Sequence, residues 1–259
     1  ALACSCGGSE STQALPHCTS THLEAQPGRV GRVSQQLHLV EGGRPGAQGY
    51  PGGAKQHRAV PRQALLHHRD AALLLRRYDL TSRSFFALGD AGTCFVGNLL
   101  ELALGADRFY LLDDPDNPVK IGLSPLNEGA LPMTHGVSRM MVRYYGNPSQ
   151  LEELAGNYAL MEPEDADDAG LVTVLLDDID WDDDVRIAIE ERASLSPDAL
   201  TGMEANLRFP MAENGDSKIF ARLTAWQNWI FIRPNATGPQ GALSLYGKPE
   251  RPKYNWQRV

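Results

Sequence analysis

Residues 84–112 read SFFALGDAGTCFVGNLLELALGADRFYLL, and this stretch decides the fold. Phe85, Phe86, Ala87 and Leu88 form an apolar run stopped by Gly89, as a fully buried strand requires. Gly92 and Gly97 bracket Cys94 and Phe95, giving the backbone room to turn before a helix. Leu99, Leu100, Leu102, Ala103 and Leu104 leave Glu101 as the lone charge in that helix. Phe109–Leu112 reads as the next strand, ended by Asp113, Asp114 and Pro115. A carboxylate in such surroundings must be paired, protonated or functional, because burying an isolated charge is costly. Without a chemical role, Glu101 is expected to be a buried structural carboxylate bonded to Arg108, Asn98 or a backbone N–H.

Upstream the composition changes. Residues 1–77 carry nine Lys/Arg against four Asp/Glu, net +5, whereas 78–259 carry fifteen against twenty-eight, net −13. The first part has no Ile, Phe, Trp, Met or Asn, and Tyr50 is its only aromatic residue. So little bulky apolar surface cannot offset chain entropy, so 1–63 is expected to be irregular and order to begin near Ala64. The same composition fits a non-native translation of 1–70 joined to a genuine domain. Sequencing the DNA upstream of Arg76 tests that reading. The chain starts at Ala1 rather than Met, which suggests a fragment or a processed chain, and no secretory signal is read there. The overall charge of −8 argues against nonspecific nucleic-acid binding, and no apolar run is long enough to span a membrane.

Several groupings invite a functional reading that their spacing does not support. Cys4, Cys6, His17, Cys18 and His22 lack both the C-x2-C knuckle and the helix-borne His pair of zinc sites. The glycines at 42–53 have neither a preceding strand nor a following Lys-Ser/Thr, so they do not form a phosphate loop. His67 and His68 are adjacent and face different directions on the helix expected over 64–78. That helix has Leu65, Leu66, Ala72, Leu73 and Leu75 on its apolar face and Arg69, Arg76 and Arg77 outward. Within the charge run around Trp181, Asp182–Asp184 are expected to open a helix through Ala193, where negative side chains suit the N-terminus. No metal and no cofactor is expected.

Downstream, Val119, Ile121 and Leu123 alternate as a short strand, followed by a loop bearing Glu128. Helices are expected over 137–145, 148–160, 162–170 and 199–209, the last capped by Ser196, with a strand over 171–176. A further helix over 218–232 carries Ile219, Phe220, Leu223, Trp226, Trp229, Ile230 and Phe231. A stripe so broad is expected to be buried on most sides, against its own core or a partner subunit. The tail reads as an extended strap. The domains expected are an irregular 1–63, a core at 64–180 and a helical region with tail at 181–259.

Strand, turn, helix with a lone glutamate, strand: that order resembles the crotonase (enoyl-CoA hydratase/isomerase) superfamily. The resemblance extends through Gly129–Pro132, Gly136–Arg139, Asp168–Val172, Gln240–Leu243 and Arg251–Tyr254, in order. It implies an α/β fold with an incomplete crotonase-like ββα core and a carboxy-terminal helical region. DIDWDDDVRIAIEERASLSPDALTGMEANLRF and AWQNWIFIRPNATGPQGALSLYG resemble a ring-opening branch of that superfamily more narrowly. There the implied reaction opens the oxidised ring of benzoyl-CoA to an aliphatic CoA semialdehyde and formate. This chain resembles the carboxy-terminal core of such a lyase. The alternatives are an enoyl-CoA hydratase/isomerase and a catalytically degenerate core with a structural or dimerisation role.

Residue by residue, the resemblance places Glu101 at the first catalytic glutamate and Gly97–Asn98 at the oxyanion-binding helix start. Asn98 stands where the family has glycine, yet a backbone N–H at a helix N-terminus still favours a developing anion. The second glutamate aligns with Pro125, which transfers no proton, and Glu128 lies three residues later as the substitute candidate. Cys94 reads as a small buried hydrophobe. The implied partner is an acyl-CoA substrate in a cytoplasmic homo-oligomer, a homodimer by family precedent, with no nucleic acid or membrane partner.

Overall fold

The apolar runs of the deciding stretch are continuous because its strands are covered on both faces. The computed structural model of the chain describes residues 62–91, 93–209 and 212–256. The amino-terminal Cys/His grouping, the glycine run at 42–53, Gly92 and the side chains of His67 and His68 lie outside the described residues. Strands β1 (Phe86–Gly89), β3 (Arg108–Asp113) and β6 (Val174–Asp177) form a parallel sheet in the order β1-β3-β6; β2 (Phe95–Val96) and β4 (Ile121–Gly122), defined below, belong to a second sheet. Alternate residues point to opposite faces. Ala87, Phe109 and Leu111 join the main core beneath α2 (Asn98–Leu104), while Phe86 and Tyr110 meet Ala188, Val185 and Ile189 of α6 (Trp181–Ser194). Helices on both faces explain why a parallel strand reads FALG instead of alternating.

The second, smaller sheet joins β2 and β4 in parallel and β4 to β5 (Leu160–Met161) antiparallel. Val119, Ile121 and Leu123 are all buried there. Helix α1 (Arg62–Asp79) runs up to the deciding stretch, opening two residues before the expected start. Leu75 is buried and Arg76 and Arg77 face outward, but Leu73, expected on the apolar face, is 60% exposed. Gly105 ends α2 in close quarters: a Cβ there would meet the Tyr78 ring at 2.8 Å and Arg139 Nε at 3.1 Å.

Several expected boundaries shift. The helix expected over 137–145 is only α3 (Arg139–Arg143), with Ser138 as its cap and Tyr144 already past its end. The helix expected over 148–160 is α4 (Pro148–Leu154). It stops because Ala155 turns extended and Gly156 adopts a φ of +76°, freeing Leu160–Met161 to pair with β4. Helix α5 (Pro163–Asp168) ends ahead of Gly170, whose φ of +75° turns the chain toward Leu171 and Val172, and the strand that follows begins at Val174. Ser196 takes the cap position of α7 (Pro197–Leu207), but its side chain makes no capping hydrogen bond.

The largest departure is the apolar stripe. The expected single helix is a π-helical segment (Ser217–Leu223) running into α8 (Thr224–Phe231), and no residue of either is buried. Phe220 is 69% and Ile232 77% exposed. Trp226, Trp229 and Ile230 are half-buried, Trp226 and Ile230 against Gly202 of α7, and the described residues leave the rest of the stripe open, so it is not buried on most sides. The tail forms α9 (Pro234–Thr237) followed by turns and bends through 250, in place of the expected extended strap. No described helix is long and apolar enough to cross a membrane.

Candidate functional site

Gly97 opens the site. Its φ of +56° suits glycine, and it swings the chain from β2 into α2. Its N–H is already committed, donating to Gly122 O at 3.1 Å. The free donors of the turn are those that any helix start leaves without intrahelical acceptors, beginning at Asn98. The Asn98 side-chain oxygen is buried with no hydrogen-bond partner among the described residues. An acceptor left so is uncommon in a folded protein, and it marks a position where a donor is wanted.

Glu101 lies one turn deeper and is 1% exposed. Its partners are not those expected from neighbouring sequence. Oε2 accepts from Arg139 Nη1 at 2.9 Å and Oε1 from Asn127 Nδ2 at 2.8 Å. Arg108, by contrast, donates to the Tyr110 hydroxyl. Arg139 extends the network: its Nη2 donates to both oxygens of Asp79 at 2.7 Å and to Leu75 O at 3.3 Å, and its Nη1 to Leu131 O at 3.0 Å. One guanidinium thus ties the end of α1, the middle of α2 and the start of α3 together. Burial pushes the carboxyls of both Glu101 and Asp79 up, against the pull of Arg139.

Asn127 connects this network to the surface. Its Nδ2 also donates to Gly97 O at 3.0 Å, and its Oδ1 accepts from Ser124 N and Ser124 Oγ at 2.9 and 3.2 Å. Both functions of the amide are used, so the loop 124–129 is pinned to the first turn of α2. Above it opens a cleft of about 320 Å³, lined by Ser124, Asn127, Glu128, Ser138 and Tyr158 and floored by Met140, Met141, Leu151 and Leu154. Glu101 is not part of that lining; Asn127 stands between it and the cleft.

Glu128 does face the cleft. Its Oε1 accepts from the Tyr158 hydroxyl at 2.6 Å and from Gly156 N–H at 2.9 Å, bridging the two walls. Those bonds hold its carboxyl below the usual range, and the same contact pushes the Tyr158 phenol up. Glu128 is therefore an anion at neutral pH, able to accept a proton, beside a phenol that keeps its own. Glu101 and Glu128 are brought to the same side of the core but into different surroundings, one sealed and one open. Pro125 sits in the turn between Ser124 and Asn127 and is exposed.

Sequence reasoning missed Asn127, Asp79, Tyr158 and the role of Arg139. One signal was present. Arg139 stands beside Met140 and Met141 in a helix start, and Glu101 stands among leucines. Glu101 is the lone charge of its helix, Arg139 opens an otherwise apolar turn before Arg143, and the signs of Glu101 and Arg139 are complementary. Cys94 is buried, as a small hydrophobe would be. Among the described residues no group of three His, Cys, Asp or Glu is placed to hold a metal ion.

No family model matches the chain. Over 186 residues it is 51% identical to the benzoyl-CoA-dihydrodiol lyase of Aromatoleum evansii, a match covering 71% of this chain and 34% of that protein. The chain thus spans about a third of the length of that curated relative. Solved structures share its fold at low identity. The enoyl-CoA hydratase of Geobacillus kaustophilus superposes with a TM-score of 0.57 at 20% identity, covering 76% of this chain and 71% of that one. An enoyl-CoA hydratase/isomerase of Cupriavidus metallidurans gives 0.54 at 18% identity, with coverages of 76% and 70%. The fold is crotonase-like, as the order of elements around Glu101 implied.

Proposed function

We propose that this chain is the carboxy-terminal, crotonase-like part of a CoA-thioester lyase. Its reaction opens the oxidised ring of benzoyl-CoA (a dihydrodiol or epoxide) to an aliphatic CoA semialdehyde plus formate, in aerobic aromatic catabolism. The observation that carries this reading is the 51% identity over 186 residues with benzoyl-CoA-dihydrodiol lyase. The substrate is an acyl-CoA and the setting cytoplasmic. The uncovered apolar face at 217–232 supports a homo-oligomer, and no nucleic acid or membrane takes part.

In this reading the residues divide the work by exposure. The first turn of α2, which Gly97 sets and whose free N–H groups begin at Asn98, is directed to a thioester oxyanion in this reading. Glu128 is the proton acceptor at the cleft, a role in which a positioned carboxylate contributes about 10²–10⁴-fold. Glu101 positions that first turn through Asn127, and its own proton transfer is the arm that the experiment must separate. The proposal takes the core as 64–180 and the helical region with its tail as 181–259.

A second reading is favoured by one observation: both Glu101 oxygens are engaged in a sealed ion network. On it the chain is a catalytically degenerate core that supports another. A hydratase/isomerase is the third class, and Pro125 in place of an acid speaks against it. The experiment assays ring opening of the oxidised benzoyl-CoA and hydration of crotonyl-CoA by the chain, with Glu128→Gln and Glu101→Gln alongside. Ring opening lost in Glu128→Gln supports the proposal. Absence of both activities in a folded chain favours the degenerate core, and crotonyl-CoA turnover alone favours the hydratase.

A further inference from the structure

Glu128 is held between two walls of the cleft, and each wall is fixed without it. On its own side, Asn127 pins the loop to Gly97 O and to Ser124 N, and Gly129 follows with a φ of +112°. On the other side, α4 ends in a short turn. There Asn157 N donates to Leu154 O at 3.1 Å, and Asn157 Oδ1 accepts from Ala159 N at 3.2 Å. Leu160 and Met161 then pair with Gly122 and Ile121, which sets Tyr158 two residues ahead of β5.

The two walls meet at one carboxylate oxygen. Glu128 Oε1 accepts both the Tyr158 hydroxyl at 2.6 Å and the Gly156 N–H at 2.9 Å, whereas Oε2 receives no hydrogen bond among the described residues. Glu128 is exposed, and an exposed glutamate left to itself spreads over many rotamers. Two donors on one oxygen select an orientation and leave the other oxygen to react. Tyr158 is the only other titratable residue in the cleft lining, and its phenol, pushed up by Glu128, keeps its proton and stays a donor.

We propose that Tyr158 is a positioning residue for proton transfer: its hydroxyl, with the Gly156 N–H, holds Glu128 by Oε1 so that Oε2 takes the proton. This rests on the reading of Glu128 as the proton acceptor of the ring-opening reaction. In that step an O–H bond at the cleft breaks, its electron pair stays on its own oxygen, and the proton bonds to Oε2. The neutral carboxyl stays held at Oε1 and, being exposed, hands the proton on to water. A fixed acceptor meets the O–H in line, and a loose one loses that alignment and with it rate. The Tyr158 hydrogen bond, followed by that of Gly156 N–H, also holds the Glu128 carboxyl below the usual range. Without the hydroxyl, Glu128 therefore becomes protonated, and stops accepting, at a higher pH.

The test is ring opening of the oxidised benzoyl-CoA by the full chain, as kcat and KM from about pH 4 to 8, in wild type, Glu128→Gln and Tyr158→Phe. The phenylalanine keeps the ring and removes only the hydroxyl. It should lower kcat about tenfold with KM little changed, a part of the about 10²–10⁴-fold that a positioned carboxylate contributes. It should also move the acid limb of the profile to higher pH, which a purely structural role would not do. Carboxyl-carbon NMR, with Glu128→Gln assigning the signal, should show Glu128 titrating at higher pH in Tyr158→Phe than in wild type. An active wild type that loses activity in Glu128→Gln but keeps its kcat and pH profile in Tyr158→Phe overturns this inference alone. So does a Glu128 signal that titrates alike in both. A wild type without ring opening overturns the proposed function, and this role with it.

Discussion

Two of the buried ionic clusters among the described residues solve the same problem differently. At Arg139 one guanidinium meets two carboxylates, and every oxygen of Glu101 and Asp79 receives a donor. At Glu204 two arginines lie nearby, yet one carboxyl oxygen is left without a donor because the nearer guanidinium serves backbone carbonyls. In the first cluster every carboxylate oxygen has a donor, although Arg139 Nε finds no acceptor among the described residues, and the network joins three helices. In the second, Arg208 Nη2 lies 3.2 Å from Glu204 Oε2 without donating to it. Whether a buried carboxylate is structural or titratable depends on where the neighbouring N–H bonds point, and the count of nearby charges does not decide it.

The largest effect is expected where the complete network is broken. Arg139→Met leaves two buried carboxylates without a cation, a change that costs about 3–5 kcal/mol in comparable cases. Urea unfolding at neutral pH measures it. The loss should shrink as pH falls toward the carboxylate range, because protonation removes the unpaired charges, whose carboxyls burial already pushes up. A loss that is constant with pH would contradict the assignment of those two partners.

Gly105→Ala comes next, since its Cβ would press on the Tyr78 ring and Arg139 Nε. Overpacking of this kind costs about 1–3 kcal/mol, read as a fall in Tm. Glu204→Gln should leave stability little changed at acid pH, where Glu204 is protonated folded or unfolded, and raise it relative to wild type toward pH 8, because burial pushes the Glu204 carboxyl up to about 8; thermal unfolding across pH can follow this. The smallest effect belongs to the exposed Lys120–Glu162 pair. Lys120→Ala should change stability by about 0–1 kcal/mol, and less at high salt.

The contrast also separates what was legible in the sequence from what was not. Local patterns carried the fold: the apolar runs at 85–88 and 109–112 became parallel strands, and the Gly97 turn led into a helix with Glu101 buried on it. The partners of Glu101 were not legible, because Arg139 is 38 residues away and only the packing of α3 on α2 brings it there. The early end of α4 turned on Gly156, one residue whose positive φ outweighs the helical pattern on either side. At 217–232 the periodicity correctly marked a helix but could not say what would cover it. Glu128 was visible as a loop carboxylate, whereas its bond to Tyr158 depends on the α4–β5 turn folding back over the cleft.

The central claim is that the carboxylate of the deciding stretch is held by Arg139. A double-mutant cycle on Glu101→Gln and Arg139→Met, read by urea unfolding, tests it most directly. The contact at 2.9 Å between two fully buried groups should give a coupling energy of about 2 kcal/mol or more. Additivity of the two single losses to within about 0.5 kcal/mol would contradict it.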